Sequence, residues 1–143
     1  MPEAKEALME WIIEHVKSKD ILTKQITAIK QQEQDADVVV EGVLKHQFIF
    51  IQPLLSDLSR LGQLKEKHVI LVTANTKDNL EFVIAHWPEL VEYPHLCLYF
   101  VNPKSALDTR WMLFPAAHDR ITEREVLRKG LESLFATVEP WRE

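Results

Sequence analysis

Three short apolar runs constrain this chain more than any other feature. Phe48-Ile49-Phe50-Ile51 precedes Gln52-Pro53, Val69-Ile70-Leu71-Val72 precedes Thr73-Ala74-Asn75, and Leu96-Cys97-Leu98-Tyr99-Phe100-Val101 precedes Asn102-Pro103. Such continuous runs read as strands buried in a sheet with helices against it. The segments between them carry helical spacing, so the order strand, helix, strand, helix, strand predicts parallel crossover units. Sheets of this kind bind ligands beyond the carboxyl ends of their strands.

The flanking segments extend the pattern. Ala4, Ala7, Leu8, Trp11, Ile12 and Val16 form one stripe of an amphipathic helix over residues 3 to 18. Asp20 suits the cap of a second helix over about 21 to 33, with Leu22, Ile26 and Ile29 on its face. Val38-Val39-Val40 opens a strand that runs to Leu44 and pairs antiparallel with the 48 to 51 run, Gly42 marking a bulge. A short helix is expected over 54 to 61, ended by Gly62. Asn75 or Thr76 caps the next helix, and Pro88 kinks or splits it. Arg110 to Phe114 reads as an antiparallel edge strand and Pro115 to Arg120 as a connection. Thr122 and Glu125 form a capping box for a last helix, after which Trp141 folds back as a lid on the core.

These elements predict a single α/β domain over residues 1 to 143. It comprises an N-terminal helical pair (3 to 33) and a sheet-containing core (37 to 138). The expected architecture has three layers, with helices on the faces of a mixed, mainly parallel sheet of about five strands.

Composition narrows the function classes. With 17 basic and 22 acidic residues the net charge is -5, which argues against nucleic acid as the main partner. A nucleic-acid reading needs a basic face from residues scattered in sequence, such as Lys17, Lys19, Lys24 and Lys30. Cys97 is the one cysteine, so no disulfide forms within the chain and a reducing compartment is the simplest setting. Glu3, Lys5, Glu6, Glu10 and Glu14 stand where a signal peptide needs an apolar core. No apolar run approaches the ~20 residues of a membrane span. The expected location is the cytoplasm.

Three clusters are candidates for chemistry. At the strand ends, Gln52, Thr73, Asn75, Thr76, Asn102 and Lys104 gather if the three strands are parallel neighbours. Asn75-Thr76 opens a helix there, where free N–H groups favour an anion, although caps and turns use the same residue types. Lys104, Arg110, His118 and Arg120 complete an anion site if the 104 to 120 segment folds over those ends. Asp37, Val39 and Glu41 alternate on one strand face, a placement that nuclease-like folds use for divalent cations. The plainer reading of these two carboxylates is an edge strand with solvated charges, and no metal ligand is assigned. No Gly-rich phosphate loop, nucleophile elbow or His pair at helical zinc spacing occurs, and no cofactor is implied.

The leading expectation is therefore a non-enzymatic protein-interaction module that forms homo-oligomers. Trp11, Trp87, Trp111 and Trp141 supply more large apolar surface than one small core needs, and tryptophan is enriched at interfaces. The alternative is a domain that binds or converts a small anionic molecule at the strand ends, through Thr73, Asn75, Thr76, Asn102, Lys104, Arg110, His118 and Arg120. A nucleic-acid-associated protein ranks third, and no membrane partner is expected. The sequence decides neither for nor against catalysis.

Overall fold

The computed structural model describes residues 2–31 and 36–142. A six-stranded sheet runs in the order β1 (Ile26–Gln31), β2 (Val38–Gly42), β3 (His46–Ile51), β4 (His68–Ala74), β5 (Leu96–Val101) and β6 (Arg110–Leu113). β1, β2 and β3 are antiparallel, β3, β4 and β5 are parallel, and β6 returns antiparallel at the edge. The protein is thus of α/β class with one mixed sheet, and the strand beyond the expected five is β1.

The apolar runs are explained by two cores. Ile49, Ile51, Ile70, Val72, Cys97, Tyr99 and Val101 pack with Leu8, Ile12 and Val16 of helix α1 (Pro2–Thr23). The alternate residues Phe50, Val69, Leu71, Leu96, Leu98 and Phe100 pack with three of the other helices. These are α2 (Lys77–Ala85), α3 (Trp87–Leu90) and α5 (Leu127–Phe135). A strand with both faces covered has no polar face, so it shows no alternation.

Four expectations about elements are overturned. The second N-terminal helix does not form, at least up to residue 31. The chain leaves α1 through Lys24 in the left-handed region (φ 50°) and pairs as β1 instead. Asp20 caps this break: its carboxylate accepts from the N–H groups of Gln25 at 2.7 Å and Ile26 at 3.2 Å. Residues 32 and 33 of that expected helix lie outside the described residues. The helix placed over 54 to 61 is an irregular loop followed by a 3-10 turn, Ser59–Leu64, which takes in Gly62. Pro115–Ile121 is a helix, α4, with proline at its first position, where the missing N–H costs nothing. Thr122 and Glu125 form no capping box, because Thr122 ends α4 in extended conformation and a 3-10 turn, Arg124–Val126, precedes α5.

Other expectations are met. The β2–β3 hairpin and the β6 edge strand form, and α2 gives way to α3 around Pro88. The register shift between Ile26 and Ala28 lies opposite Gly42. A Cβ on Gly42 would lie 2.9 Å from the Lys45 carbonyl oxygen, so only glycine lets the chain close there. Among the described residues no helix is long and apolar enough to cross a membrane.

Candidate functional site

The carboxyl ends of β4 and β5 hold three of the predicted residues, with one neighbour, in a buried polar cluster. Thr73, Asn75 and Asn79 are fully buried and Asn102 is 4% exposed. The Asn75 side-chain amide donates to the carbonyl oxygens of Val138 (2.9 Å) and Glu139 (3.3 Å). Its Oδ1 accepts the indole N–H of Trp111 at 2.7 Å. Asn102 donates to the Glu139 carbonyl at 2.9 Å and accepts the Lys104 backbone N–H at 3.0 Å. The Thr73 hydroxyl donates to the Pro53 carbonyl at 3.3 Å. Thr76 caps α2, its hydroxyl accepting the Asn79 N–H.

The strand ends are therefore not an open cradle. The chain following α5 crosses them as a strap, residues 138 to 142, and the Trp141 N–H donates to the Asn75 carbonyl at 2.9 Å. Trp141 packs into the α1-side core, so it is the lid expected of it. A cleft of about 480 Å³ beside Trp141 is lined by Ala4, Pro53, Leu54, Thr76 and Asp78. A second, of about 350 Å³, lies among Asn102, Lys104, Glu139, Pro140 and Arg142, with Trp141 as the shared wall.

The four cationic residues do not gather. Lys104 lines the second cleft. Arg110 sits opposite Val101 on β6, on the α1 side of the sheet, where its charge reaches His15 and Tyr99. β6 then carries the chain back toward Leu98, so α4 begins away from the strap. On α4, His118 packs edge-on against Trp87, and Arg120 donates to the Ala116 carbonyl. Gln52 turns into its own loop, donating to the Asp57 carbonyl at 2.7 Å.

The two carboxylates, Asp37 just before β2 and Glu41 within it, part in the same way. Asp37 accepts the Ile51 N–H at 2.7 Å and faces Lys5 (3.4 Å) and Arg60 (3.5 Å), whereas Glu41 pairs with Lys30 at 3.0 Å. Among the described residues no group of three or more His, Cys, Asp or Glu side chains stands ready to hold a metal ion.

Asn79 is the site residue that sequence reading missed. Its Oδ1 accepts the Leu55 N–H, and its amide donates to the Pro53 and Ala74 carbonyls, each at 2.8 Å. One side chain thus satisfies three buried backbone groups and ties the β3–β4 loop to α2. The available signal was an Asn on the apolar stripe of α2, one turn before Val83.

Burial dominates the remaining electrostatics. It lowers His15 to about 4, helped by Arg110 and Lys19, and pushes the Cys97 thiol and the Tyr99 phenol up to about 12. His68 is lowered by burial and by Lys45 and His95, whose ring lies 4.6 Å away. Compared with protein-family models, with curated proteins and with solved structures, the chain matches none of them.

Proposed function

We propose that this chain is a non-enzymatic protein-interaction module that self-associates through one apolar corner. The observation behind this reading is that four of the nine exposed large apolar side chains among the described residues lie on adjoining segments: Ile21 (68% exposed), Leu22 (93%), Val43 (67%) and Leu44 (84%). They lie where the end of α1 meets the β2–β3 turn, joined by the Val43 N–H donating to the Gln25 carbonyl at 2.8 Å. Scattered apolar residues are ordinary, but a cluster on two adjoining segments marks a contact surface. A second copy is the simplest occupant, because a two-fold contact matches an apolar corner with itself. The strand-end amides support the non-enzymatic part, since Asn75 and Asn102 spend their donors on the strap.

In this reading the sheet is the middle of three layers in one domain, working in the cytoplasm. The alternative, a small anionic molecule beside Lys104 and Arg142, draws on the cleft of about 350 Å³ there. The net charge of -5 speaks against nucleic acid. Leu22→Lys combined with Leu44→Lys tests the leading reading by light scattering after gel filtration. The expected outcome is a dimeric wild type and a monomeric, folded double variant. Equal masses for the two proteins would refute the proposed corner.

A further inference from the structure

The strap is held by backbone hydrogen bonds and by two buried side chains. Val138 and Glu139 offer carbonyls, Trp141 offers an N–H, and the groove answers with the amides of Asn75 and Asn102 and the carbonyl of Asn75. Only two strap side chains are buried, Val138 (2% exposed) and Trp141 (9%), while Glu139 and Pro140 between them face solvent. The groove thus reads an extended segment with an aliphatic residue and, three positions later, a tryptophan.

Two further features separate the groove from its present occupant. First, its donors are aimed by contacts that do not involve the strap. Trp111 fixes the Asn75 amide from its oxygen side, the Asn75 N–H bonds the Val101 carbonyl, and the Lys104 N–H fixes the oxygen of Asn102. Groups held this way keep their orientation when the strap leaves, which lowers the cost of binding a replacement. Second, the strap fills its seat incompletely. The indole nitrogen of Trp141 is buried without a hydrogen-bond partner, and Trp141 lines two clefts. A buried donor left unmet weakens the closed state.

We infer that the groove across the ends of β4 and β5 is a peptide-binding site, closed in cis by residues 138 to 142. Its partner is a protein segment that presents the pattern Val-x-x-Trp in extended form. The site stands apart from the apolar corner, so it holds or fails independently of self-association.

A fluorescein-labelled peptide of residues 136–142 is the probe, read by anisotropy against the full chain. In the wild type the strap competes, and apparent affinity falls by the fraction of time the groove is open. Trp141→Ala releases the strap and should tighten peptide binding on the order of tenfold or more. Adding Asn102→Ala to that variant should abolish the gain. Unchanged weak binding to a folded Trp141→Ala protein, or a gain that survives Asn102→Ala, overturns the inference. Hydrogen exchange on the unaltered chain provides a check that needs no variant. Excess unlabelled peptide should speed exchange at the Trp141 N–H while the amides of β4 stay protected. Unaltered protection at Trp141 under saturating peptide would equally overturn it.

Discussion

The indole N–H of Trp111 donates to the side-chain oxygen of Asn75 across 2.7 Å, linking edge strand β6 to the end of β4. The Trp111 ring lies flat on Phe100, with centroids 4.1 Å apart and planes 8° apart, so the donor is fixed by packing. With its oxygen taken, the Asn75 amide points its N–H groups at the strap. One hydrogen bond thereby decides which face of Asn75 meets the chain that closes the sheet.

Asn75→Ala leaves the Trp111 N–H and the Val138 carbonyl without their buried partner. The expected cost is about 2–4 kcal/mol, from an unmet donor and acceptor together. Urea unfolding measures it, and the loss should appear as a lower midpoint with an unchanged slope. A loss below about 1 kcal/mol would mean that water replaces the amide at this position.

Asn79→Ala should cost a similar amount, about 2–4 kcal/mol, because three backbone groups lose one shared partner. Its effect should concentrate in the β3–β4 loop, where the Leu55 N–H is released. Hydrogen exchange checks this: the Leu55 amide should exchange faster than in the wild type, and the β5 amides should not.

His15 makes stability fall on the acid side. Burial, Arg110 and Lys19 hold its folded pKa at about 4, below the ordinary value of 6.5. The unfolded chain therefore takes up a proton first as pH drops. Stability linked to His15 is complete above pH 6.5 and is lost as pH falls toward about 4. Urea midpoints at pH 7, 5.5 and 4.5 should decline more steeply in the wild type than in His15→Phe. Parallel profiles would show that His15 is not held neutral.

Cys97 is buried and its thiol is pushed up to about 12, so little nucleophilic thiolate exists in the folded protein. Modification by a chromogenic disulfide reagent at pH 8 should be at least about 100-fold slower in the native protein than in urea. Equal rates would place the thiol at the surface.

The sequence shows the parts of this fold that obey one rule at a time. β3, β4 and β5 stand out because burial on both faces leaves unbroken apolar runs. β1 is hidden because Leu22, Ile26 and Ile29 also fit helical spacing, and the register shift after Ile26 breaks strand alternation. Asp20 signals a cap correctly, yet what it caps is a turn into a strand. Thr122-x-x-Glu125 has the right letters, but the chain there is still leaving α4. At the site, Asn75 and Asn102 are legible as polar residues ending apolar strands. Their partner is not, because Val138 lies 63 residues from Asn75 and no local pattern joins them. Arg110, His118 and Arg120 converge only if the 104 to 120 segment folds over the strand ends, whereas β6 carries the chain back toward Leu98.

Self-association through the corner of Ile21, Leu22, Val43 and Leu44 is the central claim. Sedimentation velocity of the unaltered chain over a hundredfold range of concentration, from about 1 μM, tests it most directly. The expected result is a shift from the 16.7 kDa species to one of twice that mass as concentration rises. A single 16.7 kDa species at every concentration would contradict it.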